Sequence, residues 1–201
     1  FPNIYINNGP EKLKIKKVTN LGTVGWTRFD KAFYGCSNLT EFTAGSTDTS
    51  AVTTMATMLA NCSNLTSIDV SSFDTSPVTN MFQMFYNCSG LTSLDLSAFV
   101  TTSVSNMSYM FLGCTGLTSL DLSAFVTTSV SNMSYMFQNC NGLTSMVGVE
   151  DWDITGLNST GDLTNFLTGG KMTTAQYDNL LVNWQAQVQV TPSIPAMTAS
   201  F

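Results

Sequence analysis

The segment from Leu91 to Phe111 recurs without a single change as Leu117 to Phe137. Looser copies of the segment flank this pair on both sides. A fixed period of about 26 residues is the signature of repeat architectures, in which each unit packs against its neighbours. We therefore expect one stacked body in place of the one or two globular domains that 201 residues would otherwise suggest.

Cysteine and leucine positions set the register of the repeat. The cysteines follow one another at one constant interval, and a leucine stands at the same short distance after each of them. The positions are Cys36, Cys62, Cys88, Cys114 and Cys140, followed by Leu39, Leu65, Leu91, Leu117 and Leu143. Gly or Asn precedes every cysteine, and both residue types tolerate the left-handed backbone that ends a helix.

Two hydrophobic rhythms alternate within each repeat. In the copy that begins at Leu91, the alternation Leu94-Asp95-Leu96 predicts a short strand with one buried face. Apolar residues such as Met107 and Met110 then recur at intervals of three and four, which predicts a short helix. The residues expected to cap that helix are Ser50, Ser76, Thr102 and Thr128. Strands of neighbouring repeats should lie parallel, about 4.8 Å apart, in one continuous sheet with helices on the far side.

The N-terminal residues 1–21 are predicted to form a β-hairpin cap. Its strands would be residues 4–6 and 12–18, joined by an Asn-Asn-Gly-Pro turn. Leu13 and Ile15 would point inward and the lysines outward. Lysines on an exposed strand edge discourage end-to-end stacking, and they would also suit an anionic ligand.

The C-terminal end departs from the period. The register slips after Met146, and Trp152 stands near the position where Phe125 predicts an aromatic residue. Leu163, Phe166 and Leu167 match Met133, Met136 and Phe137 of the preceding repeat. A last helix, Thr174 to Gln187, would cover the apolar end. We therefore divide the chain into the N-terminal cap (1–21), the repeat region (22–170), a helical cap (171–190) and a tail or linker (191–201).

Composition excludes several classes of function. The net charge of −6 argues against nucleic acid, whose binding needs clustered Lys and Arg. No apolar run approaches the roughly 20 residues of a membrane-spanning helix, so we expect no membrane insertion. Histidine is absent, which removes the commonest general base and metal ligand. The chain begins with Phe1 and shows no signal peptide, so we expect a processed protein or part of a larger chain or assembly.

The cysteines suggest neither a metal site nor disulfides. Zinc sites need pairs of closely spaced ligands, whereas each repeat offers one thiol. Equivalent positions on neighbouring strands would lie about 4.8 Å apart, which exceeds the roughly 3.8 Å between the Cβ atoms of a disulfide. We predict a buried column of free thiols, and neither a metal nor a cofactor.

The outward side chains of the strands form the candidate binding site. Because Leu94 and Leu96 point inward, the Ser and Asp residues between them point out. The predicted site, here called the Ser/Asp stripe, consists of Ser67, Asp69, Ser71, Ser93, Asp95, Ser97, Ser119, Asp121 and Ser123. Stacked carboxylates would repel one another by about 1 kcal/mol in water. Either solvent and neighbouring serines tolerate this repulsion, or a cation or a polar ligand such as a glycan bridges the column.

Catalysis is not expected. No serine has a histidine base to activate it, and the cysteines are predicted to be interior. Asp69 and Asp95 would lie near the roughly 5 Å separation of a retaining glycosidase pair, but a flat strand face offers no cleft. We predict that the chain has no catalytic residues and is not an enzyme.

The unit N-C-S-x-L-T-S-L-D-L-S-x-F-x-T-x-x-V-x-N-M-x-x-M-F resembles the BspA-type leucine-rich repeat. That family occurs in many bacterial surface lipoproteins, in some protist surface proteins and in some phages. The resemblance covers about residues 32–170, and residues 173–184 are similar to the segment that often closes these repeats. It implies a right-handed β/α solenoid of the leucine-rich-repeat type, used for adhesion or recognition, with no catalytic residues to carry over.

Together these features predict an extracellular binding or adhesion module, located on a cell surface or on a virion. Its partner would be a protein or a glycan on a cell surface, and its source a bacterial surface protein or a phage tail fibre. Charged residues make up only 10% of the chain, compared with roughly 25% in ordinary soluble domains, and Ser, Thr and Asn replace them. The alternative is a structural spacer or virion decoration without a specific ligand.

Overall fold

The computed structural model describes residues 10–157 and 162–188 and shows a mixed α/β protein with short parallel sheets and one α-helix in this part of the chain. The strands are β1 (Lys17–Val18), β2 (Glu41–Thr43), β3 (Ser67–Asp69), β4 (Ser119–Asp121) and β5 (Ser145–Val147). Two 3₁₀ helices span Pro10–Lys14 and Val149–Asp151, and the α-helix α1 spans Thr174–Val188.

Equivalent strands pair in parallel and in the predicted register. Glu41 pairs with Ser67 and Ser119 pairs with Ser145, in each case with the matching position of the next repeat. The prediction of one continuous sheet is wrong, because β1-β2-β3 and β4-β5 form two separate sheets. Residues 93–95 lie between them outside regular strand geometry, although their Ser-Leu-Asp sequence is the same as that of β4. Local sequence therefore does not explain the interruption.

The predicted helix of each repeat is wrong: residues 55–62 and their equivalents form consecutive tight turns. Met58 N–H donates to the Met55 carbonyl at 3.1 Å, whereas Thr57 N–H donates to the Phe82 carbonyl of the next repeat at 2.7 Å. Thr57 and Asn61 have positive φ angles of 56° and 62°, which an α-helix does not accommodate. Apolar spacings of three and four fit such turns as well as a helix, because both return a side chain to the same face.

The turns also change the role of the predicted caps. Ser50 and Ser76 donate their hydroxyls to Asp48 and Asp74, both at 2.6 Å, and cap no helix.

An additional column of single parallel bridges joins neighbouring repeats. Its members are Thr54, Asn80, Asn106 and Asn132. Hydrogen bonds from one repeat to the next thus follow the strands, the bridges and the turns.

The core consists of columns of like residues. Side chains at the repeated Met and Phe positions, such as Met107, Met110 and Phe111, are fully buried in the central repeats. Phe85 stacks on Phe111 at 5.7 Å and Phe111 on Phe137 at 5.4 Å, both with interplanar angles of 6°. Offset or parallel stacking at these distances adds to the free energy gained by burying the rings.

The prediction of an N-terminal hairpin is wrong for the residues that the structure describes. The first predicted strand, residues 4–6, lies outside them. Pro10–Lys14 forms a 3₁₀ helix where a strand was predicted, and Leu13 is 46% exposed instead of inward. Ile15 packs against the core as expected. Only Lys17–Val18 remains as a strand, and it pairs in parallel with β2. Proline at the first position favours a helical turn because its φ is already close to helical.

The C-terminal alignment is confirmed. Met133 N–H donates to the Asp162 carbonyl at 2.8 Å, and Met107 N–H makes the equivalent bond to the Asn132 carbonyl. Asp162 therefore corresponds to Asn132 of the preceding repeat, and Leu163 corresponds to Met133. Trp152 stacks on Phe125 at 6.2 Å. The predicted last helix corresponds to α1, which begins after a capping box in which Thr173 and Gln176 bond each other.

Helix α1 packs against the end of the repeat region. Leu180 and Trp184 are buried, and the Trp184 indole donates to the Val149 carbonyl at 3.2 Å. Gln187 donates to the Trp152 carbonyl at 2.8 Å. The division of the chain into four parts stays a prediction, and its tail, 191–201, lies outside the described residues.

Candidate functional site

Every residue of the Ser/Asp stripe is exposed. The alternation predicted from Leu94 and Leu96 is present, since these two leucines are buried and their neighbours are not. Asp69 pairs with Thr43 of β2, and Asp121 pairs with Val147 of β5, which is 48% exposed. The stripe therefore presents three carboxylates and six hydroxyls to solvent.

Most stripe aspartates are already engaged by the serine two residues later. Asp69 Oδ1 accepts the Ser71 hydroxyl at 2.7 Å and the Ser71 N–H at 3.1 Å. Asp121 accepts the Ser123 hydroxyl at 2.7 Å and its N–H at 3.0 Å. These are Asx-turns, in which the carboxylate replaces a backbone acceptor and bends the chain after the strand. Ser71 and Ser123 therefore shape the bend as well as facing solvent.

Asp95 differs from Asp69 and Asp121 in its hydrogen bonds to the serine two residues later. It accepts the Ser97 N–H at 2.9 Å, and this backbone bond is the larger cause of its lowered pKa, with the Ser97 hydroxyl the smaller one. At Asp69 the order is reversed, since the Ser71 hydroxyl contributes most to the lowered pKa and repulsion from Asp95 raises it slightly. All three carboxylates remain charged near neutral pH, so the stripe is an anionic surface.

The same Asp-Ser geometry occurs away from the stripe. Asp48 bonds Ser50, Asp74 bonds Ser76, and Asp153 bonds Thr155. An Asx-turn is therefore a recurring structural device of this chain and by itself identifies no ligand. In the described residues, no group of three or more Cys, Asp or Glu side chains is arranged to hold a metal ion.

The cysteine column is confirmed as a set of free, buried thiols. From Cys62 onward, each thiol donates to a carbonyl of the preceding repeat, for example Cys114 to Phe85 at 3.0 Å. Burial raises the pKa of the Cys140 thiol to about 12 and that of Cys36 to about 11. Thiolate formation is therefore strongly disfavoured, and the column acts as packing material and hydrogen-bond donor.

A buried threonine ladder was missed from the sequence. Thr75 Oγ1 donates to the Val100 carbonyl at 3.0 Å and accepts the Val100 N–H at 2.8 Å. Thr101 Oγ1 likewise donates to the Val126 carbonyl and accepts the Val126 N–H, both at 2.8 Å. The ladder contains Thr49, Thr75, Thr101 and Thr127. The regular spacing of these threonines was the available signal, but nothing in a serine-rich and threonine-rich sequence marked them as buried.

Tyr109 and Tyr135 are half-buried and stack on each other at 4.6 Å with an interplanar angle of 15°. Phe82 meets the Tyr109 ring edge-on at 5.7 Å. Both tyrosines have left-handed backbones, with φ of 61° and 60°, which is costly for a bulky residue. Packing between repeats accounts for the rings, and stacking covers the faces that the two rings turn towards each other.

A known family model matches the chain. The family model described as "Mycoplasma protein of unknown function, DUF285" matches residues 5–95, 27–152 and 92–177, which overlap to cover most of the chain. Repeated matching is consistent with a BspA-like repeat family. Neither the curated proteins nor the solved structures gave a match. Within residues 10–157 and 162–188, no helix is long and apolar enough to cross a membrane.

Proposed function

We propose that this chain, which belongs to the DUF285 family, is a non-enzymatic binding or adhesion module. Its partner is a protein or a glycan on a cell surface, and it meets that partner through the Ser/Asp stripe. The module belongs to a bacterial surface protein or to a phage fibre or other exposed virion component. Low charge and a surface of Ser, Thr and Asn support an extracellular, cell-surface or virion location.

The proposed architecture is a right-handed solenoid of the leucine-rich-repeat type in which tight turns replace helices. The parallel pairing of strands from successive repeats supports it, as do the hydrogen bonds that each turn donates to the next. A connection between parallel strands of one sheet is right-handed in nearly all proteins. Stacking of this kind displays the stripe as a linear, repeated surface.

The observation that carries the functional proposal is the exposure of all nine stripe residues at equivalent positions of three successive repeats. Two of the repeats that supply them are identical, from Leu91 to Phe111 and from Leu117 to Phe137, so a partner meets the same contact more than once. Repeated contacts raise avidity without requiring a sculpted pocket. Glycans and elongated protein segments on cell surfaces offer the matching repetition.

The test replaces the three stripe carboxylates together, as D69N/D95N/D121N, and measures binding to an array of branched cell-surface glycans and to whole bacterial cells. Asparagine also forms Asx-turns, so the bends should persist while the charge is lost. We expect the wild-type chain to bind and the triple variant to lose binding. The matched control is D48N/D74N, which removes carboxylates of the same geometry outside the stripe and should bind normally.

Binding by D69N/D95N/D121N at the wild-type level would refute the stripe as the contact surface. A wild-type chain that binds neither array nor cells favours the alternative of a spacer or virion decoration. In that case the chain would contribute length and rigidity to a larger assembly.

A further inference from the structure

A second surface, distinct from the stripe, crosses the tight turns that flank the cysteines. It is an open groove of about 830 Å³ that runs from Lys12 and Tyr34 to Asn139. Its length corresponds to five successive turns, or about 19 Å at a strand spacing of about 4.8 Å. None of the residues lining it is acidic, although the chain carries 13 Asp and Glu. The groove is therefore lined mostly by amides, hydroxyls and glycines, with Lys12 and Leu13 at one end, in an otherwise acidic protein.

The asparagines of the groove exceed what the backbone needs. Asn61, Asn87 and Asn139 have left-handed φ angles of 62°, 55° and 59°. The equivalent positions Gly35 and Gly113 satisfy the same turn, with φ of 73° and 74° and no side chain. Glycine is the less strained residue for this geometry, so the amides are additional chemistry at these three turns.

The amides are also oriented. Asn87 Nδ2 donates to Asn61 Oδ1 at 3.0 Å, which links two turns along the groove. Ser63 and Ser89 also line the groove, and the Ser89 hydroxyl donates to the Ser63 carbonyl at 3.3 Å. Each repeat along the groove thus contributes at least one side-chain amide or hydroxyl, from Ser37 to Asn139.

Backbone groups of the turns are already used. Asn61 N–H donates to the Tyr86 carbonyl and Asn87 N–H to the Leu112 carbonyl, both at 2.7 Å. A peptide therefore cannot add itself as a strand here, which is the usual way that extended peptides bind to a sheet edge. An extended peptide also presents same-side residues about every 6.6 Å, out of step with turns about 4.8 Å apart.

We infer that this groove binds a linear polysaccharide, with sugar hydroxyls hydrogen-bonded to the amides of Asn61, Asn87 and Asn139. Hydroxyl-rich chains supply both donors and acceptors to amide and hydroxyl side chains. Tyr34, half-buried at one end, offers an aromatic body and a hydroxyl to a sugar ring. The lining has no carboxylates and includes Lys12, so uronic or sulfated sugars are not repelled.

The experiment is calorimetric titration of the full chain with defined linear hexasaccharides. The probes are cellohexaose, chitohexaose, hexagalacturonate and a hyaluronan hexasaccharide, each compared with its monosaccharides. We expect at least one hexasaccharide to bind and its monosaccharides to bind far more weakly. The variant N61G/N87G/N139G keeps a residue suited to each turn and should weaken binding by about tenfold or more.

The controls separate the groove from the stripe. D69N/D95N/D121N should bind the hexasaccharide within about twofold of wild type, because none of its residues lines the groove. Failure of all four hexasaccharides to bind would overturn the inference, as would unchanged binding by N61G/N87G/N139G or equal loss in the stripe variant. If thermal melting shows that the triple glycine variant does not fold, S63A/S89A decides instead, with weakened binding expected and unchanged binding overturning the inference.

Discussion

Residues 91–111 and 117–137 have the same sequence but not the same structure. Ser119–Asp121 is strand β4, whereas the identical Ser93–Asp95 lies between the two sheets. Ser129, in the second copy, donates its hydroxyl to the Thr102 carbonyl at 2.8 Å. Because every side chain is matched, the differences arise from the neighbouring repeats.

The two copies also have different aromatic neighbours in the core. In the first copy Phe111 stacks between Phe85 and Phe137, so its surroundings are alike on both sides. In the second copy Phe137 faces Phe111 on one side and Trp152 and Phe166 on the other. The comparison teaches that an identical unit takes on a different energetic role according to whether it continues the array or meets its end.

The largest expected effect is loss of a core phenylalanine. F111A and F137A should each lower the free energy of unfolding by about 3–5 kcal/mol, because both rings are fully buried. F137A should cost about 1 kcal/mol more, since it loses an additional aromatic partner. Urea denaturation of both variants measures the difference. Equal costs would mean that the end of the array does not change the role of the ring.

A smaller difference is expected in the threonine ladder. T101V should lower the free energy of unfolding by about 2–3 kcal/mol, because it orphans both the N–H and the carbonyl of Val126. T127V should cost about 1 kcal/mol, because the described bond of Thr127 is the one to the Asp153 carbonyl. Urea denaturation again measures both costs, and T101S and T127S, which keep the hydroxyl, are the controls. A larger cost for T127V than for T101V would contradict the ladder.

The tyrosine pair should show a still smaller effect. Asparagine suits a left-handed backbone, so Y109N and Y135N each relieve about 1 kcal/mol of strain. Tyr109 loses contacts with both Phe82 and Tyr135, whereas the described ring contact of Tyr135 is with Tyr109. We expect Y135N to lie within about 0.5 kcal/mol of wild type and Y109N to be less stable by about 1 kcal/mol. Thermal melting resolves the order, and a more damaging Y135N would contradict it.

The smallest effect concerns the carboxylates. S123A should raise the pKa of Asp121 towards its ordinary value more than S97A raises that of Asp95, because the serine hydroxyl is the leading cause of the lowered pKa at Asp121 but not at Asp95. Folding lowers both pKa values, so the associated stability is present above the unfolded pKa of about 3.9 and is lost as pH falls through the folded pKa. Carboxyl chemical shifts in an NMR titration measure both values. A larger shift at Asp95 would contradict the geometry.

Much of this protein could be predicted from its sequence because repetition converts local patterns into long-range contacts. The spacing of Cys36 to Cys140 predicted a buried thiol column, and Leu94-Asp95-Leu96 predicted which side chains face solvent. Aromatic and apolar matches predicted how Trp152 and residues 163–167 align with the array. Helical spacing of Tyr177, Leu180 and Trp184 predicted α1, where Leu180 and Trp184 are buried.

Tertiary structure alone decided how each repeat turns and where its sheets break. An apolar spacing of three and four serves a helix and a series of tight turns alike. The choice depends on whether N–H groups such as that of Thr57 bond within the repeat or to the next one. Those carbonyls are supplied by another repeat, as are the partners that differ between residues 93–95 and 119–121. A backbone group satisfied by a distant segment leaves no trace in its own local sequence, which is why only the packed array could settle these features.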